Sequence, residues 1–528
     1  VSKVGSVMRH TFSQVPRVDI PRSSFDRSFG HKTTFDSGYL IPVLCDEALP
    51  GDTFRVRMTG FARMATPIFP IMDNLFMDTH FFAVPIRLIW DNWQKFNGEQ
   101  ENPGDSTDYV VPQIVAPAGG WLENSLEDYF GLPTKVAGIT QSAFWHRAYN
   151  LIWNEWFRDQ NMQDSLPVPK GDGPDLPSDY ALQRRGKRHD YFTSCLPWPQ
   201  KGPAVEIPLG GIAPVIPAGN GRPTWSAPGA TVNAASLQTV NGSPDVIMDT
   251  SAAGSDYLVW DSPALNADLS AATAATINSL RQAFAIQRIY ERDARGGTRY
   301  TELLRAHFGV ISPDARLQRP EYLGGGSTPV HITPIAQTSG TPGAGGYTDT
   351  PQGNLAAIGT AVASGHGFTM SFTEHCVILG VVSVRADLTY QQGLNRMWSR
   401  RTRFDFYWPA LSHIGEQAVL QKEIYCQGGA PDDTVFGYQE RYAEYRYKPS
   451  QITGQFRSNA AASLDSWHLS QEFASPPLLN ATFIVENPPV DRVVAVPTQP
   501  QFLFDSLFHM NCARPMPVYG VPGLIDHF

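Results

Sequence analysis

The segment Arg396–Trp408 sets four guanidinium groups (Arg396, Arg400, Arg401 and Arg403) among five flat rings, Trp398, Phe404, Phe406, Tyr407 and Trp408. Cations interleaved with rings suit single-stranded nucleic acid, whose phosphates pair with the cations while its bases stack at ~1–3 kcal/mol each. The same residue types also pack at protein–protein interfaces, where arginine and aromatic side chains are enriched. A second set, Arg281, Arg288, Arg292 and Arg295, falls within one narrow sector of a 3.6-residue helical period. Such a stripe can track a phosphate backbone or pair with acidic residues of a neighbouring subunit. Lys3, Arg9 and Arg17 lie in a basic N-terminal stretch kept extended by Pro16 and Pro21, which makes them candidate phosphate contacts on an arm.

Catalytic patterns are missing. There is no H-E-x-x-H, no phosphate-binding G-x-x-x-x-G-K-[ST] and no G-x-S-x-G. His375 and Cys376 adjoin in an apolar, strand-like run, so their side chains point to opposite faces and cannot form a nucleophile–base pair. Asp432-Asp433 and the Asp172/Asp175 pair sit in turn-like contexts, where aspartate serves the backbone. The five cysteines form no C-x-x-C pair, so neither a disulfide framework nor a zinc site is implied. No cofactor is expected, and a structural divalent cation is left open.

Charge narrows the classes further. The chain has 528 residues with net charge −9, against coating nucleic acid by bulk charge. Its 41 basic residues are nevertheless mostly arginine, the cation suited to interfaces and phosphates. With 42% hydrophobic and 17% charged residues it is too apolar to be disordered. Gly and Pro (45 and 43 residues) point to a loop-rich β protein. Val1–Val15 has no apolar signal-peptide core, and no apolar run approaches the ~20 residues of a membrane span.

The elements that must position these groups read as strands at both ends with helices and loops between. Phe54, Val56 and Met58 alternate with Arg55, Arg57 and Thr59, the period of a half-buried strand. Phe76–Val84 and Gln501–Cys512 read as further strands, and Phe372–Arg385 as one buried on both faces. Ala443, Tyr445 and Tyr447 alternate with Glu444, Arg446 and Lys448, again strand-like. Ser142–Asp159 carries a broad apolar face at helical spacing, and 276–308 reads as two helices broken at Gly296-Gly297. Residues 203–275 are rich in small residues and acidic, with Asp245, Asp249, Asp256 and Asp261 among six acids against one base. Residues 324–370 are Gly-rich and read as a surface loop.

The expectation is therefore a mainly β protein, an eight-stranded antiparallel jelly-roll sandwich interrupted by long insertions. Its core is discontinuous, 38–85 with 371–513, flanked by arms at 1–37 and 514–528. Residues 86–202 and 276–323 are helical and loop insertions, and 203–275 is a surface protrusion.

Several segments also resemble a known family. QGLNRMWSRRTRFDFYW (392–408), ERDARGGTRYTELLRAHFGVISPDARLQR (291–319), HDYFTSCLPWPQKG (189–202) and CARPMPVYGVPGLIDHF (512–528) are similar to the major capsid proteins of microviruses, closest to the gokushovirus branch. SSFDRSFGHKTT (23–34) and NLIWNEWFRDQNMQDS (150–165) match as well. The resemblance implies a virion coat protein that self-assembles into a T=1 icosahedral shell around a circular single-stranded DNA genome, put together in the host bacterial cytoplasm. It implies scaffolding, pilot and small DNA-binding proteins as partners, and a host receptor met by threefold protrusions built from 203–275. A different reading of the same aromatics is a β-sandwich carbohydrate-binding protein or glycosidase, with two carboxylates ~5–10 Å apart in a groove. A dedicated single-strand binding protein is a third, disfavoured by the net charge.

Overall fold

The computed structural model describes residues 21–202, 277–343 and 349–519, and within 203–276 only six short strands. The chain divides into two compact units, 1–199 with 296–528, and 200–295.

The first unit is built on nine antiparallel strands: β1 (Ser23–Asp26), β2 (Phe29–Phe35), β3 (Ile41–Ala48), β4 (Thr53–Met64), β5 (Leu75–Pro85), β6 (Glu321–Ala336), β7 (Leu355–Ser371), β8 (Cys376–Ala386) and β9 (Phe502–Arg514). The hydrogen-bonded order is β1–β9–β4–β7–β6–β5–β8–β3, with β2 also on the β9 edge used by β1. β6 turns the corner. Its first part, Glu321–Val330, pairs with β5, and its second, His331–Ala336, pairs with β7. A strand that changes partners in this way folds one continuous sheet into two facing layers.

Alternation fixes which side chains fill the space between the layers. In β4, Phe54, Val56, Met58, Ala62 and Met64 point inward, and a slip of one residue would exchange them for arginines. They meet Met77, Phe81, Ile378 and Val382 from the other layer in one core. The ring of Phe508 stands edge-on to Phe81 across it, centroids 6.4 Å apart. The layer of β5 and β8 is covered on its far side too. Helix α1 (Phe144–Ile152) lays Phe144, Ala148, Tyr149 and Ile152 against Phe82, Val84, Val377, Leu379 and Val381. That second cover explains why β8 reads as an unbroken apolar run. Arg147, on α1 and fully buried, donates to both carboxylate oxygens of Asp175 at 2.7 and 2.6 Å and to the Ile89 carbonyl. This mainly β, antiparallel sandwich belongs to the jelly-roll class.

Two sequence expectations change. Residues 324–370 are not a surface loop, because β6 and β7 carry most of them into the sheet. Their glycines serve close approach: a Cβ at Gly325 would lie 2.0 Å from the Thr79 carbonyl oxygen, and one at Gly367 2.0 Å from that of Val56. Residues 443–448 are not a strand. Tyr442 takes a left-handed conformation (φ 62°) and Ala443–Tyr445 forms a 3-10 turn. Helix α2 (Ile277–Gly296) and helix α3 (Tyr300–Phe308) break where Gly296-Gly297 predicted. The N-terminal arm is strand from Ser23 onward, as β1 and β2.

Candidate functional site

The Arg396–Trp408 segment folds into short 3-10 turns pinned by its own polar groups. The Asn395 side chain accepts from the Met397 amide at 3.0 Å. Asp405 accepts from the amides of Arg401 and Thr402 at 2.9 and 2.7 Å, and those bonds hold its carboxyl below the usual range. The Trp408 indole donates to the Arg403 carbonyl at 3.0 Å.

Beneath the turns lies an ion cluster. Arg396 donates to Glu423 at 3.0 Å and to the Ala418 carbonyl at 2.7 Å. Glu423, its side chain 2% exposed, also accepts from the Tyr191 hydroxyl and the Leu420 amide, each at 2.9 Å. Burial pushes the Glu423 carboxyl up, and the Arg396 charge opposes that only in part. Arg400 approaches Glu444 at 3.4 Å and lies over the Tyr445 ring, 4.2 Å from its centroid. Arg396 also reaches to 4.0 Å from Glu444, and a cavity of about 70 Å³ is lined by Arg396, Glu423, Glu444 and Tyr447.

The outer side of the segment is mainly aromatic, with Arg401 and Arg403 exposed among the rings. Trp398 is 71% and Phe404 60% exposed, and Phe406, Tyr407, Trp408, Ile414 and Tyr445 are also exposed. Arg403 stacks on Trp408 at 4.5 Å. Arg401 is exposed and makes no ion pair among the described residues. The arginines and rings singled out in the sequence are thus together in space, but Arg396 and Arg400 spend their charges on acids within the chain. Glu423 and Glu444 were not legible as partners because nothing in sequence 27 and 44 residues away signals the pairing.

The other candidates are less concentrated. On α2, Arg281, Arg288 and Arg292 are exposed and Arg295 is half-buried. Lys3, Arg9, Arg17, Asp245, Asp249 and Asp256 lie outside the described residues. Asp261 belongs to a short strand, Val259–Ser262, whose side chains also lie outside them. Among the described residues no cluster of His, Cys, Asp and Glu could hold a metal ion. Nor is any described helix long and apolar enough to cross a membrane.

A second surface escaped the sequence reading. Arg55, Arg57, Phe61 and Arg63 project from the outward face of β4, visible in sequence as arginine at alternate positions but read there only as a strand period.

A jelly-roll sandwich with a broad exposed aromatic surface fits a structural protein of the viral-coat class. Comparison with known proteins agrees. Residues 13–524 match the family model described as capsid protein (F protein), and the chain belongs to that family. It is 53% identical to capsid protein VP1 of Bdellovibrio phage phiMH2K, over 98% of both chains. It is 46% identical to capsid protein VP1 of Chlamydia phage 1 over 99% of both, and 39% identical to capsid protein VP1 of Spiroplasma virus 4 over 98% of this chain and 97% of that one. These relatives are microviruses of the gokushovirus type, and the role of the chain is that of a major capsid protein in the virion. It is a structural protein, not an enzyme.

Proposed function

We propose that the chain closes into a T=1 icosahedral shell around a circular single-stranded DNA genome, with residues 203–275 forming threefold protrusions that meet the host receptor. The observation that carries the shell reading is the aromatic surface over Arg396–Tyr447. Exposed apolar patches of this breadth mark interaction sites, and the charges beneath this one are already neutralised by Glu423 and Glu444. Such a surface suits a second copy of the chain better than a polyanion, and obligate interfaces of this apolar kind bury ~2,000–5,000 Å². Scaffolding, pilot and small DNA-binding proteins would join it during assembly in the host bacterial cytoplasm, and no cofactor is called for.

The test is electron microscopy and nucleic-acid assay of nuclease-treated particles, with and without Trp398→Ser/Phe404→Ser. Uniform shells with protected single-stranded DNA are expected from the natural chain, and unassembled but folded subunits from the variant. A natural chain that stays a small species under assembly conditions, or a variant that assembles normally, refutes the reading.

A further inference from the structure

We infer that the outward face of the β1/β2–β9–β4–β7 layer is the genome-facing side of the coat, where β4 grips single-stranded nucleic acid through Arg55, Arg57 and Arg63. This rests on the shell reading above and adds to it which face points inward.

The geometry is set by the core. Because Phe54, Val56, Met58, Ala62 and Met64 are buried, the intervening residues must face out, and Arg55, Arg57, Phe61 and Arg63 do so as one exposed row. Alternate residues of a strand are ~6.8 Å apart, and Arg55 to Arg63 spans ~27 Å. Arg55 and Arg57 sit one such repeat apart, about twice the 3.4 Å per phosphate of a strand in duplex DNA, and Arg63 lies three repeats further on.

The row is electrostatically unsatisfied. Among the described residues Arg55, Arg57 and Arg63 form no ion pair, unlike Arg396 and Arg400. Their register neighbours on β9 are Asn511, His509 and Leu503, and on β7 Thr369, Gly367 and Thr360. Two acids share the face without pairing with these arginines. Asp505 pairs with Lys32 at 3.3 Å, and Asp26 accepts from the amide and hydroxyl of Ser28. The sheet therefore shows a net positive face on a chain of net charge −9.

The remaining outward groups suit bases. Phe61 is 46% exposed between Arg57 and Arg63, with Val362 opposite it on β7, Asp505 opposite it on β9, and Leu503 and Leu507 on either side of Asp505. A ring set among cations stacks unpaired bases without regard to sequence, whereas a duplex offers only its backbone to a flat sheet. A symmetric contact with the same face of a second copy would oppose like charges, which costs several kcal/mol.

The experiment is ultraviolet cross-linking of purified, nuclease-treated particles with peptide mapping. It is paired with binding of the full chain to oligo(dT) across salt for Arg55→Gln/Arg57→Gln/Arg63→Gln. Cross-links within 53–64 or 502–514 are expected, with a loss of about 2 in the slope of log affinity against log salt, at ~0.7 per phosphate contact. Cross-links confined to other segments with an unchanged slope overturn the proposal. If the glutamine variant does not assemble, the lysine variant Arg55→Lys/Arg57→Lys/Arg63→Lys decides. Restored packaging supports a phosphate contact; continued failure, with cross-links elsewhere, assigns the face to a neighbouring subunit and overturns it. Natural particles holding no protected nucleic acid would instead sink the shell reading itself.

Discussion

Replacing Arg396 by glutamine separates the scaffold role of the ion cluster from direct DNA contact. Removing one partner of a buried ion pair costs ~3–5 kcal/mol, because the other charge is left behind. Here the stranded charge is Glu423, 2% exposed, which keeps its bonds from Tyr191 and the Leu420 amide. Arg396 itself is 25% exposed, so water screens part of the pair and the expected loss is at the low end, about 3 kcal/mol at pH 8. The pH dependence gives the sharper signature. Burial already raises the folded Glu423 carboxyl above its ordinary value. A group raised on folding favours the folded state below its unfolded pKa and loses that advantage as pH rises through the folded pKa. Without Arg396 the carboxyl rises further, so the penalty of Arg396→Gln is smaller at pH 5 than at pH 8. Urea midpoints of unassembled subunits at the two pH values measure it. Arg396→Gln/Glu423→Gln should recover much of the loss, and DNA per assembled particle should not change. A penalty equal at both pH values, or under 1 kcal/mol at pH 8, would refute the argument.

Two further outcomes follow from buried polar groups. Arg147→Met strands Asp175, whose side chain is 1% exposed, and should cost about 3–5 kcal/mol in the same denaturation assay; Arg147→Met/Asp175→Leu should recover most of it. His80 is held neutral, its pKa pushed down to about 4 by burial and then by Arg185. Since it titrates near 6.5 when unfolded, the folded state loses about 3 kcal/mol as pH falls from 6.5 towards 4. His80→Gln should remove that slope, leaving the shallower acid dependence of the carboxylates.

Local pattern carried most of the fold. The β4 alternation, the apolar run of β8, the α1 face and the Gly296-Gly297 break are each written within a few consecutive residues, because each depends on one face meeting one environment. Residues 324–370 misled because glycine normally weakens strands, whereas here Gly325 and Gly367 admit neighbouring backbones. Residues 443–448 alternate like a strand but turn at Tyr442, a tertiary override that places Glu444 beneath the aromatic surface. The site was half legible. Arg396 and Arg400 stand out as cations, but their acidic partners come from other segments, and which arginines remain free is decided only by folding. The β4 arginines were in plain view, yet their lack of partners is a property of β9 and β7.

The position of β9 has a consequence for synthesis. β4 lies between β9 and β7, and its pairing with β9 joins Met64 to Phe502, about 440 residues later. At roughly 5–20 residues per second, a ribosome needs some 20–90 s to deliver that partner. Until β7 emerges, about 290 residues after Met64, both edges of β4 are unpaired, and one stays so until β9 arrives, an invitation to pair with another nascent chain. A message cut short anywhere before the codon for Phe502 yields a product with no β9, and hence no closed layer for β1 and β2 to join. The sandwich thus acts as a length check on translation: only chains read through to Arg514 can become building blocks.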